Sequence, residues 1–306
     1  MILSTGLSPA WQHVMLLQEL QLGEVNRVKQ VEWCASGKIL NVAVALHLLE
    51  AHSKSLTVVG GPAGAAIKTD SAALGLSAAW VDVASMSRVC TSVIDQRRNV
   101  TTELVEPSGQ ITVEELRRFA DVFSQEAATA DYVVFTGSLP PGTPASYCRE
   151  LALRTDARMI FDIRGPELVE AIEARPFLVK PNRSELAETL GHDLIDEAQL
   201  IEGMRELNRR GAQWVVVSQG EHAVLATSAD EAYRVTPPSA QVVSPIGCGD
   251  CFAAGLAWGL DEGDEMNRAL CRAVAAAVAN LATPLPGRLD PLRVQQLLDS
   301  IRCESL

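Results

Sequence analysis

Cations are the first shortage in this chain. Across 306 residues, 26 lysines and arginines face 38 aspartates and glutamates, for a formal charge of −12 at pH 7. That balance excludes a general affinity for nucleic acid or for an anionic membrane surface. A phosphate ligand would need a few local cations and backbone amides to outweigh the global field. Aromatics are scarce as well, at 5% of residues. Alanine, valine and leucine must therefore carry the burial, which favours close helix-on-sheet packing over a β-sandwich. No apolar run reaches the length of a membrane span; the longest, Ala273 to Ala282, is short and contains Asn280. Met1-Ile-Leu-Ser-Thr has no basic region ahead of its apolar residues, so no signal peptide is expected. Seven cysteines is an odd number, pointing to reduced thiols and a cytoplasmic location. Cys248 and Cys251 form one C-x-x-C, but no second pair or ligand-spaced histidine accompanies it, so neither zinc nor redox chemistry is expected. Gly60-Gly-Pro-Ala-Gly is not followed by a P-loop lysine, and Gly247-x-Gly249 lacks the third glycine of a dinucleotide fingerprint.

What is present is a regular alternation. Apolar residues make up 47% of the chain, enough for a large core. Short β-type runs at Ile2–Thr5, Leu56–Val59, Tyr132–Thr136, Arg158–Asp162, Phe177–Lys180 and Trp214–Ser218 are separated by helical patterns. The clearest of these are Lys38–Leu49, Pro144–Arg154, Asn182–Leu190 and Ala198–Arg210. This is the signature of a mostly parallel sheet covered on both faces. Thr112 and Glu115 have capping-box spacing ahead of a helix through Ala128. After Ser218 the pattern becomes a meander, Ala223–Thr227 and Tyr233–Thr236, followed by two helices and a last one from about Pro291 to Ile301. Residues 10–35 and 86–106 break the alternation as β-ribbons, predicting a small accessory sheet over one edge. No linker or repeat divides the chain, so one domain spanning 1–306 is expected, with a lid from those two insertions.

Five segments carry candidate chemistry. Ser244-Pro-Ile-Gly-Cys-Gly-Asp-Cys places a glycine turn and a carboxylate at the start of a small-residue helix. Free N–H groups and the positive end of the helix dipole would converge there on an anion. A carboxylate beside a bound phosphate suits a base that orients a hydroxyl, whereas an ordinary helix cap would use the same residues. Ser36-Gly-Lys-Ile-Leu-Asn offers Gly37 for close approach, Lys38 as a cation and Asn41 as donor and acceptor, and is equally an ordinary helix start. Gly137-Ser-Leu-Pro-Pro-Gly puts Ser138 at a strand's carboxyl end, where open α/β sheets bind ligands; a rigid proline turn reads the same. Lys180-Pro-Asn-Arg-Ser-Glu sets Asn182 and Glu185 on one helical face with oxygen atoms suited to Mg²⁺ or its water shell, or as cap and third helical residue. Ser218-Gln-Gly220 sits at another strand end and could border a nucleotide.

Taken in order, these segments resemble the ribokinase-like carbohydrate kinases of the phosphofructokinase B type, above all those for fructose 1-phosphate and tagatose 6-phosphate. Ser8-Pro-Ala, Gly23-Glu-Val-Asn-Arg27, Gly60-Gly61 and Thr102-Glu103 are smaller echoes, and the likeness spans essentially the whole chain. It implies a three-layer α/β fold with a small β-lid that closes the site and can support a homodimer. It implies ATP and Mg²⁺ as cofactors and a sugar phosphate as substrate. Asp250 would be the base, with the N–H groups of Gly247, Cys248 and Gly249 as the anion hole. Asn182 and Glu185 would hold Mg²⁺ through water, and Lys180, Asn182, Ser218 and Gly220 would border ATP. Gln12, Gly37, Lys38, Asn41, Arg88 and Ser138 would line the sugar or its phosphate.

Physics adds expectations about two of these groups. A helix N-terminus stabilises a carboxylate and a thiolate, so both Asp250 and Cys248 are expected to have low pKa values. Cys248 then reads either as a site of oxidative inactivation or, with Cys251, as one of two small buried apolar residues, the reading favoured here. Asp250→Asn is expected to cut turnover by orders of magnitude with little change in stability. Three departures from the family pattern fall on the sugar side: Gln12 stands where an aspartate is usual, Ser36 for a glycine, Cys90 for an asparagine. Ala223 replaces a glycine in the nucleotide loop, and Pro245 a threonine before the anion hole. Two other readings stay open, a kinase for an unphosphorylated sugar or nucleoside and a non-catalytic sugar-binding regulator.

Overall fold

The computed structural model describes residues 1–306. The chain opens with β1 (Ile2–Gly6), β2 (Ala10–Leu17) and β3 (Gln30–Ser36), followed by α1 (Lys38–Leu48), β4 (Ser53–Val59), α2 (Gly61–Ala73) and β5 (Ala78–Asp82). A hairpin of β6 (Arg88–Asp95) and β7 (Val100–Val105) leads to α3 (Val113–Ala127), β8 (Tyr132–Thr136), α4 (Tyr147–Ala152), β9 (Arg158–Asp162) and α5 (Gly165–Ile172). Next come β10 (Leu178–Val179), α6 (Arg183–Leu190), α7 (Glu197–Arg210), β11 (Trp214–Gln219), β12 (His222–Thr227) and β13 (Ala232–Val235). The chain finishes with α8 (Cys248–Asp261), α9 (Met266–Asn280), α10 (Pro291–Leu298) and β14 (Cys303–Ser305).

Ten strands form the main sheet in the order β14-β13-β12-β11-β10-β9-β8-β1-β4-β5. Every pairing from β5 across to β11 is parallel, and β11 to β14 are antiparallel. Successive strand residues point to opposite faces, and here both faces are covered. Ile2, Val134, Leu178 and Val216 join a core with α1, α8, α9 and α10. Their neighbours Leu3, Val133, Val179 and Val217 join a second core with α3 to α7. The strands are therefore apolar throughout, as a doubly covered parallel sheet requires, and the fold is the expected three-layer α/β sandwich.

A second sheet, ordered β3-β2-β6-β7, is made from the two ribbons that broke the alternation. Its β2 and β6 pair in parallel although their residues are far apart in sequence. One face packs towards the main body through Val14, Leu16 and Ile94, which touch Leu285.

Local boundaries moved where tertiary context decided them. The strand expected at Phe177–Lys180 is only Leu178–Val179, because Pro181 cannot extend a ladder. The helix expected from Pro144 begins at Tyr147, and α2, β5, α5 and β14 were not anticipated. In α2 the run Gly-Pro-Ala-Gly-Ala-Ala carries almost no amphipathic signal for a sequence reader to find. The predicted capping box of α3 is present: Thr112 Oγ1 accepts from Glu115 N at 3.2 Å, and Glu115 Oε2 accepts from Thr112 N at 2.8 Å.

Candidate active site

In the main sheet β1 is flanked by β4 on one side and β8 on the other. The order reverses there, opening a crevice at the carboxyl ends of the strands, where such sheets bind ligands. A cavity of about 910 Å³ fills this crevice. The loop after β8 contributes Ser138, β9 ends in Asp162, the residue after β10 is Lys180, and β11 supplies Ser218. The start of α1 adds Gly37, Lys38 and Asn41, and the turn into α8 adds Gly247, Gly249 and Asp250. The second sheet closes one side with Gln12 from β2 and Arg88 from β6. Asn182 and Glu185 line the same space.

Thirteen of the fifteen sequence-predicted positions thus meet in one cavity. Gly220 lies instead in an adjoining cleft of about 1020 Å³, which shares Asn182 and Ser218 with the main cavity. Cys248 faces away from the cavity, its thiol turned to Asn280. Sequence reading missed Asp162, whose signal was available: an acidic residue closing an apolar strand at the sheet's carboxyl edge.

The glycine turn is built for an open amide array. Gly247 has φ +83°, which favours glycine, and a Cβ there would lie 2.8 Å from Pro286 Cβ. Gly249 is under neither demand, since an added Cβ would meet nothing closer than Lys180 Nζ at 3.9 Å. Its missing side chain leaves the cavity floor clear beside a buried lysine. The N–H groups of Gly247, Gly249 and Asp250 have no acceptor within the chain, whereas Cys248 N donates to Pro245 O at 3.3 Å. The available donors therefore differ by one from those expected, with Asp250 N–H in place of Cys248 N–H.

Asp250 is buried at 6% exposure. Its Oδ2 accepts from Asn41 Nδ2 at 2.7 Å, and Ser36 Oγ donates to Asn41 Oδ1 at 2.8 Å. Both ends of the Asn41 amide are thus engaged, aiming its NH₂ at the carboxylate. Ser36, a departure from the family pattern, serves to orient that amide. Burial pushes the Asp250 carboxyl up to about 6, against the lowering influence of Lys38, Asn41 and Lys180. The expectation of a low value fails because desolvation outweighs the helix N-terminus. The same correction applies to Cys248, whose thiol burial pushes up to about 11. Its thiolate is disfavoured, so the expected reactivity loses its physical basis.

Asp162 holds two lysines. Lys180 Nζ lies 3.0 Å from Oδ1 and Lys38 Nζ 3.4 Å from Oδ2, and Thr136 Oγ1 donates to Oδ2 at 3.1 Å. Burial alone would raise the Asp162 carboxyl, but Lys180 and Lys38 bring it below its ordinary value. Lys38 is raised, chiefly by Asp162, and its side chain stays 44% exposed to the cavity. Asp162 thus fixes two cations, Lys38 and Lys180, beside Asp250 in a cavity whose lining is otherwise rich in carboxylates.

Asn182 caps α6: its Oδ1 accepts from Glu185 N at 2.8 Å and Glu185 Oε2 from Asn182 N at 2.9 Å. The capping reading is therefore correct. It does not exclude a metal role, because the second Glu185 oxygen remains without a partner and both residues line the cavity. On the sugar side, Gln12 Nε2 donates to Ser92 Oγ at 2.7 Å and Arg88 Nη2 to Ser8 O at 3.2 Å. Arg88 Nε is buried without a partner.

With this geometry in view, comparison with known proteins is decisive. The family model described as pfkB family carbohydrate kinase matches residues 8–290. The chain belongs to the pfkB family. It is therefore a sugar kinase, and carbohydrate kinases of this family use ATP and a divalent metal. Among solved pfkB-type structures, phosphofructokinase-2 from Escherichia coli in complex with fructose-6-phosphate superposes with a TM-score of 0.89 at 23% identity, covering 98% of this chain and 99% of the other. A possible 1-phosphofructokinase from Thermotoga maritima gives 0.91 at 21% identity, covering 100% and 99%. At these identities the likeness is one of fold. No helix is long and apolar enough to cross a membrane.

Proposed function

We propose that this pfkB kinase transfers the γ-phosphoryl group of ATP to a hydroxyl of a ketohexose phosphate of the fructose 1-phosphate or tagatose 6-phosphate type. The observation that carries the reading is the buried Asp250 carboxylate beside three unpartnered amides and two lysines. The sugar hydroxyl oxygen attacks the γ-phosphorus, the bond from phosphorus to the ADP oxygen breaks, and the hydroxyl proton passes to Asp250. Amides of Gly247, Gly249 and Asp250 receive the charge of the transferring group, where preorganised donors act most strongly. A loose transition state needs little early deprotonation, so Asp250 works mainly by aiming the hydroxyl. Lys38, held but exposed beside Asp162, is free to follow the phosphate.

Mg²⁺ fits the Asn182–Glu185 pair. Magnesium retains several waters and takes one or two carboxylates plus phosphate oxygens, and these residues present one free carboxylate oxygen rather than a full cage. When bound, it neutralises charge on the β- and γ-phosphates. The cleft with Ser218 and Gly220 would take the rest of the nucleotide. Gln12, Gly37, Arg88 and Ser138 would face the sugar and its existing phosphate.

Arg88 favours a phosphorylated substrate over a neutral sugar or nucleoside, because it lines the cavity without an ion-pair partner, whereas Lys38 is already paired with Asp162. A non-catalytic regulator is disfavoured by the joint presence of the open amides and the buried carboxylate. The chain is read as one kinase domain, with the second sheet as its lid and as a surface for a homodimer. ATP consumption measured with ketoses and their 1- and 6-phosphates tests the reading. Turnover on a ketohexose phosphate is expected, turnover only on free sugars overturns the substrate class, and none on any of them supports the regulator.

A further inference from the structure

Asn280 ends α9 as the one polar residue in the apolar run Ala273–Ala282, and it is completely buried. A buried amide is unfavourable unless its polar atoms are partnered, and both ends of this one are. Nδ2 donates to Ile246 O at 2.8 Å, and Oδ1 accepts from Gly287 N at 3.0 Å. The two thiols of the C-x-x-C flank it at 3.4 Å each: Cys248 Sγ accepts from Nδ2 and Cys251 Sγ donates to Oδ1. A carbonyl on one side and an N–H on the other fix which way the amide points.

Each of the short bonds acts on the site. Ile246 O is the carbonyl that Asp250 N–H would reach, four residues on, in an uninterrupted helix. With that carbonyl engaged by Asn280, Asp250 N–H is left without an acceptor in a residue that lines the cavity. Gly287 lies against Asn41, so closely that a Cβ would come within 2.7 Å of Asn41 O, and its neighbour Pro286 packs on Gly247. One side chain therefore clamps the glycine turn to the 286–287 loop, and that loop is wedged against the residue that orients Asp250.

We propose that Asn280 is a positioning residue for phosphoryl transfer, holding the Gly247–Asp250 amides and Asp250 in one geometry. The inference rests on the kinase mechanism proposed above. Its test compares Asn280→Ser and Asn280→Asp with wild type. The first shortens the clamp, and the second keeps an acceptor for Gly287 N–H but sets a carboxylate oxygen against Ile246 O. Turnover is expected to fall about 100-fold, the scale of a small misplacement of reacting groups, with KM for ATP and for the sugar phosphate within about threefold. Calorimetry with Mg·ADP alone should give wild-type affinity, while the tightening of ADP by aluminium fluoride, a mimic of the transferring group, should be lost.

Asn208→Ser is the control. Asn208 is another asparagine hub, bonded to Ala212 O, Gln213 O and Thr227 O on the far helix α7. Its loss should lower Tm comparably and leave turnover and the aluminium fluoride response intact. Asn280 variants with turnover within about threefold of wild type overturn the proposal. So does a loss matched by Asn208→Ser, or failure of both Asn280 variants to fold, either of which assigns Asn280 to folding alone. Asp250→Asn is measured alongside. If it keeps turnover, the mechanism itself falls; if it is inactive while Asn280 variants are normal, only the present inference falls.

Discussion

Asp250 carries its charge where charge is least welcome. Its carboxyl, pushed up to about 6 mainly by burial, must be ionised to receive a hydroxyl proton. The kcat/KM of the free enzyme is therefore expected to fall below about pH 6 with unit slope; a flat profile down to pH 5 would remove Asp250 as the group responsible. Ser36→Ala frees the Asn41 amide, weakens a bond that favours the carboxylate, and should move that limb upward. The same residue sets a stability trade. A raised carboxyl stabilises the fold in its protonated form, so this contribution is complete below about pH 4 and is lost as pH rises through about 6. Asp250→Asn, inactive, should consequently be more stable than wild type at pH 8 by on the order of 2–3 kcal/mol. The two should converge at pH 4 in denaturant titrations. This replaces the expectation of a nearly unchanged stability, which took no account of the burial of the carboxylate. None of this was legible in the sequence. The helix N-terminus next to Asp250 is a local feature, whereas its burial depends on α1 and on partners such as Lys38, Asn41 and Asp162, far away in the chain.

Helix caps show the same division one scale up. Thr112–Glu115 and Asn182–Glu185 are the same device on α3 and α6. Both were readable because a cap needs only a few consecutive residues and elementary hydrogen bonding. What the spacing could not tell was that one box lies over a core helix and the other on the rim of a ligand cavity. Thr112→Ala and Asn182→Ala should each cost about 1 kcal/mol in stability. Only the second should raise the Mg²⁺ concentration needed for half-maximal activity; equal Mg²⁺ dependence in both variants would remove Asn182 from the metal site. Elements with weak periodicity, such as α2, were invisible for the converse reason: their helicity comes from packing on β2, β3 and β4 rather than from their own pattern.

For the molecule as a whole, strand alternation revealed the three-layer body, since a parallel sheet buried on both faces leaves that pattern in any sequence. The second sheet was legible as two ribbons, but its central parallel β2–β6 pairing could not be deduced from either ribbon alone. Register places Trp33, His13, Thr91 and Leu104 in one row across its outer face, with Trp33 45% and Leu104 60% exposed. His13 stacks on Trp33 at 3.9 Å. If this face joins two copies, Trp33→Glu with Leu104→Asp should convert a dimer to a monomer in sedimentation velocity; an unchanged oligomer would place the interface elsewhere. The opposite face of the same four strands turns Gln12, Cys90 and Val105 to the cavity, while Asp250 and the open amides belong to α8 on the main body. Recognition and reaction are therefore carried by separable parts. A relative's β2–β3 and β6–β7 ribbons, transplanted onto this body, should bring their own sugar preference with them, so that lineages of such enzymes can change diet without reinventing their chemistry.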